Sequence, residues 1–397
     1  MTFRHLLRAS TLTALAVAAA VAPAQAWKAK TVYHVQGDDY GFGVPDAVLL
    51  SNGSLFSAVA EGGTHGCGGV VQLADQGAKW ALTVLHQFAG GADDGCRPYG
   101  ALIRDDAGAF YGSTYGGGLE NCTGIDLPTC GTIYRLTLSH GTGKIEILYK
   151  FKGGDDGFYP NAILRSGKNG TLFGTTGGYC GHGGATVFTL TPPKKKNGKW
   201  KHAVIYNSTS PIPGPVNLDA TGNVYGTEGG AGCTNGRVFQ LDSGTWNPHS
   251  LHDFVGGSDG AFPYAGVIFD DAGVLYGTTL GGGDSSLGTV YSLTPPKHGG
   301  KWKLKILHSF AGQPDGYQPF AELTLADDGT LYGTTTSGGA NNYGSVFQIT
   351  KTGEESILWS FLLSGPQGYY PNGPVTIADS KTLYGTTYYS DVFQLTK

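Results

Sequence analysis

One short phrase recurs seven times along the chain, and its spacing constrains the fold more than any other feature. It reads LYGTT at 275–279, 331–335 and 383–387, with the variants LFSAV at 55–59, FYGST at 110–114, LFGTT at 172–176 and VYGTE at 224–228. The central aromatic residues of successive copies are 55, 62, 52, 51, 56 and 52 residues apart. Repeats of this length are supersecondary units that bury a core by stacking on one another. The chain is therefore seven copies of one structural unit.

Each unit contains four short β-prone runs, which Gly, Asp and Pro residues separate. In the sixth copy the runs are LHSF (307–310), AELTL (321–325), LYGTT (331–335) and GSVFQI (344–349). Apolar and polar residues alternate in the first of them, which predicts a half-buried strand, and no helical periodicity intervenes. Four strands in about 50 residues are typical of a propeller blade. The sequence predicts an all-β fold, a single seven-bladed β-propeller domain over residues 27–397.

The order of the strands predicts how the ring closes. We name the strands of a blade A (the PxAxL run), B (LYGTT), C (GTVF) and D (LHSF). The repeat region opens with TVYHV (31–35), which resembles a strand D, and ends with DVFQL (391–395), a strand C. The N-terminal strand is expected to complete blade 7, because closure removes open sheet edges. Glycine inside strand B is costly, and we expect tight contact between neighbouring blades to be its reason.

The first 26 residues have the pattern of a secretory signal peptide. A basic start (Arg4, His5, Arg8) precedes an apolar run from Leu12 to Val21 and an A-x-A cleavage signal at 24–26. The apolar run is shorter than the ~20 residues that span a bilayer. The sequence thus predicts a secreted protein, periplasmic or extracellular, with no membrane insertion.

Charge restricts the possible partners. Removing residues 1–26 takes away two arginines, so Lys+Arg falls from 26 to 24 against 30 Asp+Glu and the net charge becomes −6. This balance disfavours nucleic acid as a partner. We expect an extracellular polysaccharide or protein as the partner and a monomeric propeller.

The repeat unit resembles a known family. The phrases LHxF, DGxxPxAxL, GxLYGTT and GTVFxLTP are similar to those of the GloVer-type tandem-repeat family of exported bacterial proteins, and the resemblance covers nearly all of residues 31–397. It implies a propeller on an exported protein. It implies no common reaction, and the motif residues of the family are structural.

Six cysteines in an exported chain indicate disulfides, for which fifteen pairings are possible. All six lie in the D–A and B–C loops, which share one face of a propeller. Their loop positions favour three pairs: Cys67 with Cys96, Cys122 with Cys130, and Cys180 with Cys233.

Residues that every copy shares serve the fold, so candidate functional residues are those that one copy alone carries on the loop face. Shared residues include the strand D histidines (His86, His252, His308) and the Asp of the Asp-Gly turns (Asp94, Asp156, Asp259, Asp315). For these Asp residues both turn geometry and calcium binding are open. The copy-specific candidates are Glu61, His65, Arg97, Tyr115, Tyr179, His182, Glu228, Asn235 and Arg237.

Two enzyme mechanisms fit these residue types. A lyase needs a base to remove the proton α to a uronate carboxylate and a cation to neutralise that carboxylate. The catalytic candidates for these roles are His65, His182, Tyr179, Arg97 and Arg237. A glycosidase needs two carboxylates ~5–9.5 Å apart, and Glu61 and Glu228 belong to nearly opposite blades, so the lyase ranks higher.

The other candidates, Glu61, Tyr115, Glu228 and Asn235, are predicted to bind a ligand. No cysteine or histidine spacing matches a metal site, and no metal or cofactor is predicted. Three functions stay open: a propeller that binds a glycan or protein on its loop face, a polysaccharide-degrading enzyme, and a structural envelope or matrix protein.

Overall fold

The computed structural model describes residues 26–34, 47–77, 79–120, 122, 129–139, 141–160, 163–178, 183–195, 198–230, 233–388 and 391–397. The predicted signal peptide, residues 1–26, lies outside them except for Ala26. No helix among the described residues has the length and apolarity needed to cross a membrane.

In this part of the chain, seven antiparallel four-stranded sheets form the blades of a β-propeller, as the repeat predicted. Each sheet has the order A-B-C-D. The A strands are Leu49–Ser51, Gly95–Arg104, Arg165–Ser166, Asn217–Leu218, Ile268–Phe269, Thr324–Leu325 and Thr376–Asp379. The B strands are Ser54–Val59, Phe110–Gly117, Leu172–Thr175, Val224–Gly230, Leu275–Thr279, Leu331–Thr335 and Thr382–Thr386.

The remaining strands complete the blades. The C strands are Gly69–Asp75, Thr132–Ser139, Ala185–Thr191, Thr234–Leu241, Thr289–Thr294, Ser345–Ile349 and Asp391–Thr396. The D strands are Trp80–Gln87, Thr142–Lys150, Lys201–Ser208, Pro248–Asp253, Lys303–Ser309, Glu355–Ser360 and, for blade 7, Lys28–His34. Among the described loop residues there are three 3₁₀ turns (Gly154–Asp156, Lys168–Gly170, Gly257–Asp259) and a two-stranded ladder of Gly316–Tyr317 with Ser337–Gly338.

The ring closes through its N-terminal strand. Lys28–His34 pairs antiparallel with Asp391–Thr396, so the first described strand is the outermost strand of the last blade. This confirms the closure that the strand order predicted. Val32, Tyr384 and Val392 also share an apolar cluster with Val48 and Leu55 of blade 1, so blade 7 is joined to its neighbour by core packing.

Aromatic side chains join neighbouring blades. The Phe that follows strand D packs against the buried aromatic residue of strand C in the next blade. Ring centroids are 5.2 Å apart for Phe88 with Tyr134, for Phe254 with Tyr291 and for Phe310 with Phe347. Each such tilted pair contributes ~0.5–1.5 kcal/mol beyond burial of its area. The regular recurrence of these rings therefore sets the spacing of the blades.

The same aromatic residue explains the glycine of strand B, in a way that differs from the expectation. Gly112 lies directly across from Tyr134 in the sheet, and a Cβ at Gly112 would lie 2.4 Å from the Tyr134 hydroxyl. Gly333 faces Phe347 at 2.4 Å in the same manner. The close approach is thus within one blade, between strands B and C, and not between neighbouring blades.

The loop face is fastened from blade to blade by backbone hydrogen bonds. In five D–A loops the residue before the proline has a left-handed backbone, and its N–H donates to a carbonyl of the preceding B–C loop. Arg97 (φ 56°) donates to Cys67 at 2.9 Å, and Phe262 (φ 61°) donates to Asn235 at 2.7 Å. The other members are Tyr159, Gln318 and Tyr370.

A candidate ligand site at the channel mouth

The innermost strands surround a central channel, and their register defines which residues line it. One position in each strand A lies opposite the aromatic residue of the strand B phrase. Around the ring this position holds Leu49, Ile103, Arg165, Asn217, Ile268, Thr324 and Thr376. Residues two positions earlier point the same way in extended chain. They are Ala47, Ala101, Ile163, Pro215, Gly266, Glu322 and Pro374.

Three polar residues of these two rings meet across the channel. An Arg165 Nη atom lies 2.5 Å from Glu322 Oε2, and Arg165 Nε donates to Asn217 Oδ1 at 2.6 Å. Asn217 Nδ2 completes the network by donating to Glu322 Oε1 at 2.7 Å. On the other side Ala47, Ala101 and Ile163 form a small apolar cluster. Together the two groups occupy the channel below its mouth.

Above this floor the channel opens on the loop face as a cup of about 270 Å³. Tyr99 and Tyr115 line it from blade 2, and Tyr264 and Phe320 line it from blades 5 and 6, on the far side of the ring. Tyr264 and Phe320 are in edge contact at 5.2 Å, and Tyr99 and Tyr115 at 5.6 Å. The cup therefore has two aromatic walls.

The polar groups of the cup are few. Glu322 is 8% exposed and lies among the lining residues with Pro215 and Pro374. Asn372 also lines the cup, and its Oδ1 is buried and accepts no hydrogen bond from the described residues. No Lys, Arg or His in the described part of the chain lines this cup. The site thus offers hydrogen-bond acceptors between apolar and aromatic walls.

Of the predicted residues, Tyr115 is a lining residue of the cup. Its ring stacks on Tyr159 at 3.9 Å with an interplanar angle of 4°. Stacking fixes the ring plane of Tyr115, so its exposed edge is a rigid part of the wall.

A second group of predicted residues gathers at the junction of blades 1 and 2. Cys67 and Cys96 form a disulfide, as predicted, and it joins the B–C loop of blade 1 to the next D–A loop. His65 and Arg97 are exposed beside it, and Glu61 is half-buried in the same B–C loop. The structure brings these three residues to one pair of loops, outside the cup.

Glu228 and Arg237 bind each other. They are directly opposite in strands B and C of blade 4, with Arg237 Nε 2.7 Å from Glu228 Oε1. The Tyr206 hydroxyl donates to Glu228 Oε2 at 2.8 Å and accepts from an Arg237 Nη atom at 2.7 Å. Burial and the neighbouring Glu228 carboxylate raise the pKa of Tyr206, which opposes its use as a base.

This network replaces a feature of the other blades. At the same register position blades 2, 3 and 5 have buried threonine pairs, for example Thr279 with Thr289 at 2.8 Å. The Gly of the Asp-Gly turn packs against that pair, because a Cβ at Gly260 would lie 2.9 Å from Thr279. Blade 4 lacks the Asp-Gly turn, and the larger Glu228–Arg237 pair stands where the threonines do elsewhere.

The remaining predictions have separate outcomes. Asn235 is half-buried, and its carbonyl accepts from the Phe262 N–H at 2.7 Å, in the blade-to-blade fastening described above. Tyr179, His182 and Cys180 lie outside the described residues. Cys122 and Cys130 form the predicted disulfide. Cys233 is disulfide-bonded as well.

The shared Asp-Gly residues hold their own turns. Asp94 accepts hydrogen bonds from the Ala89 and Gly95 N–H groups, at 2.9 Å each, and lies 3.3 Å from His86 Nε2. Burial alone would raise the pKa of the Asp94 carboxyl, but these three hydrogen bonds lower it below its ordinary value. The His contact and one turn N–H donor recur at Asp259, and the full arrangement recurs at Asp315.

Arg165, Asn217 and Glu322 are not among the residues predicted from the sequence. They lie in or beside strand A, whose PxAxL pattern recurs from copy to copy, whereas the predicted candidates lie in the loops. Comparing the channel position of that strand shows one acid, Glu322, against Ala, Ala, Ile, Pro, Gly and Pro in the other copies. This single substitution was the available signal.

The comparison with protein families agrees with the repeat. The model of the Gloeobacter/Verrucomicrobia repeat matches residues 21–228 and again 183–395. The chain belongs to this family. Two overlapping matches cover nearly the whole propeller, so the family's repeat accounts for all seven blades. A search of proteins with curated function finds no relative.

Solved structures with a similar fold are distant in sequence. Virginiamycin B lyase from Staphylococcus aureus is 13% identical with a TM-score of 0.60, over 94% of this chain and 99% of the lyase. A Bacteroides uniformis protein with a proposed 6-phosphogluconolactonase activity is 14% identical with a TM-score of 0.53, over 86% and 89%. A Lactobacillus plantarum protein is 14% identical with a TM-score of 0.52, over 87% and 99%. At these identities the likeness is one of fold.

Proposed function

We propose that this chain is an exported propeller that binds a neutral glycan in the cup at the mouth of its channel. The observation that carries the proposal is the pair of aromatic walls, Tyr99 with Tyr115 and Tyr264 with Phe320, around one cavity. Aromatic faces carry partial negative charge, and the C–H groups on the face of a sugar ring are complementary to them. A sugar ring between the two walls would bury its apolar faces.

The polar groups of the cup suit the hydroxyl groups of such a ring. The buried Oδ1 of Asn372 accepts no hydrogen bond from the described residues, and a buried acceptor without a donor costs ~1–3 kcal/mol. A sugar hydroxyl is a donor of the right kind. The Glu322 carboxylate has further acceptor capacity, because each of its oxygens has two lone pairs and receives one described hydrogen bond.

The volume and charge of the cup narrow the class of glycan. A cavity of about 270 Å³ is slightly smaller than the ~300–1,000 Å³ typical of ligand pockets, so we propose that it takes one or two sugar units at a chain end. No described cation lines the cup, while Glu322 does. This favours a neutral sugar over a uronate, because Arg165, the cation that pairs with Glu322, does not line the cup.

The alternative function, a lyase, would use residues at the junction of blades 1 and 2 instead of the cup. His65 and Arg97 lie on the two loops that the Cys67–Cys96 disulfide joins, and both are exposed. A base and a cation are what proton abstraction from a uronate requires. Two of the similar folds bear the names of enzymes, a lyase and a lactonase. An acidic polysaccharide would be the substrate in this case.

One experiment separates the two functions. Purified protein is screened for binding to neutral and acidic oligosaccharides, and the mixtures are then analysed by mass spectrometry. The proposal predicts retention of a neutral oligosaccharide with its mass unchanged. Fragments of an acidic polysaccharide that are one water lighter than hydrolysis products would contradict it in favour of the lyase.

A further inference from the structure

A second cluster of chemically active side chains lies between blades 5 and 6, away from the cup. Its basis is the repeated contact of a strand D histidine with the Asp of the following turn. His86 with Asp94, His252 with Asp259 and His308 with Asp315 have N–O distances of 3.3, 3.1 and 3.0 Å. Because the contact recurs in three D–A loops, the His–Asp pair by itself is a structural feature of the turn.

The blade 5–6 junction adds a third group to the pair. Glu355 is the first residue of strand D in blade 6 and lies opposite Ile349. In the blades that follow the other two His–Asp pairs, the same register position holds an apolar residue. These residues are Ile145, opposite Leu136, and Leu304, opposite Leu293. A carboxylate thus replaces an aliphatic side chain at this one junction of the three.

Three side chains of metal-ligand type converge around Glu355. One ligand atom from each of His308, Asp315 and Glu355 lies within 4.8 Å of the others, and all three side chains are half-buried. Glu355 Oε1 is buried and accepts no hydrogen bond from the described residues. A cation between the two carboxylates would give this buried oxygen a partner and offset the repulsion between the two negative charges.

We propose that His308, Asp315 and Glu355 together bind one divalent transition metal ion, with Zn²⁺ as the best match. One imidazole nitrogen and two carboxylate oxygens are ligand types that zinc takes at ~2.0–2.2 Å. The 3.0 Å between His308 Nε2 and Asp315 Oδ2 is shorter than the edge of about 3.3–3.6 Å of a tetrahedron of that size, so the two side chains would move apart by a few tenths of an ångström on binding. Three protein ligands leave one position for water, and the ion would join strand D of blade 5 to strand D of blade 6.

The test is zinc titration of the full-length chain without an affinity tag, by isothermal calorimetry after treatment with a chelator. The wild type is expected to bind one Zn²⁺ with high affinity. Glu355→Leu introduces the residue that blade 5 has at this position, so the variant is expected to fold. Loss of an outer-shell partner of a metal ligand weakens metal binding ~10–100-fold. Glu355 is proposed as a direct ligand, so the Glu355→Leu variant should bind Zn²⁺ at least about 100-fold more weakly than the wild type.

The matched control is Glu354→Gln, which changes the neighbouring carboxylate. Glu354 is exposed, and successive strand residues point to opposite faces, so this variant should bind Zn²⁺ as the wild type does. A wild type that binds no Zn²⁺, or a Glu355→Leu variant with unchanged affinity, would overturn the proposal. Zinc binding that is weak and equal in all three proteins would come from exposed histidines elsewhere and would also overturn the proposal.

Discussion

Glu322 of blade 6 bonds Arg165 of blade 3 across the central channel, with 2.5 Å between the Arg165 Nη and Glu322 Oε2 atoms. The two residues are 157 positions apart in the chain. Their contact, bridged by Asn217, spans the channel below the cup, and Glu322 is the member of this network that lines the cup. The cup itself opens on the loop face.

We expect Glu322→Gln to destabilise the fold. Glu322 is 8% and Arg165 21% exposed, and breaking a buried ion pair costs ~3–5 kcal/mol, which partial exposure of Arg165 reduces to about 2–4 kcal/mol. Urea denaturation measures this change. Glu146→Gln, in the exposed pair with Arg135, should cost less than about 1 kcal/mol. Equal effects of the two substitutions would contradict the account of the floor.

The Glu228–Arg237 pair should behave as one unit. Arg237→Thr leaves the buried Glu228 carboxylate unpaired and is expected to cost about 2–4 kcal/mol. Adding Glu228→Thr restores the threonine pair of other blades and should recover part of that loss, with a coupling of about 1–3 kcal/mol. A double-mutant cycle from denaturation curves measures the coupling. Additive effects would mean that the two residues serve separate purposes.

The stability that Asp94 contributes should depend on pH in one direction. The hydrogen bonds to Asp94 lower the pKa of its carboxyl in the folded state, so the stabilisation is complete above the unfolded value of about 3.9 and is lost as the pH falls through the folded value. Asp94→Asn should cost about 1–3 kcal/mol at neutral pH.

The difference between wild type and Asp94→Asn is then expected to shrink as the pH falls below about 4. Thermal unfolding at a series of pH values follows it. Asp106→Asn removes an exposed carboxylate and should leave the pH profile unchanged. A difference that grows in acid would show that the sign of the Asp94 effect is wrong.

The Cys67–Cys96 disulfide should order the two loops that it joins, the B–C loop of blade 1 and the D–A loop that follows it. It closes a loop with a sequence separation of 29, and loops of this size contribute about 2–4 kcal/mol. Replacing both cysteines with Ser should lower the free energy of unfolding by that amount. Hydrogen exchange should rise around His65 and Arg97 and stay unchanged at the cup. Unchanged exchange in these two loops would contradict this role for the disulfide.

The fold could be predicted from the sequence because the blade is a local unit. Its four strands and turns lie within about 50 consecutive residues. The strand order at the two ends predicted that the run TVYHV (31–35) would complete blade 7, and the strand that does so is Lys28–His34. The reason for the strand B glycine was harder to predict. Nothing in the phrase says that Gly112 lies opposite Tyr134, since that depends on the register of two strands.

The site was less accessible to sequence reasoning. Tyr115 was identified because it is unique to one copy, and it does line the cup. Glu228 and Arg237 were identified as unusual, but their pairing follows from the register of blade 4. Arg165 and Glu322 meet because blades 3 and 6 face one channel, and no pattern within a single strand carries that information.

The most direct test of the central claim is calorimetric titration of the neutral oligosaccharide that binds best. Wild type is compared with Tyr264→Ala and Phe320→Ala, which remove one wall of the cup, and with Tyr388→Ala, which removes an exposed ring of the loop face outside the cup. We predict a loss of affinity of about tenfold or more for the two wall variants and none for Tyr388→Ala. Equal affinity in all four proteins, or no binding of any neutral glycan by the wild type, would contradict the proposed function.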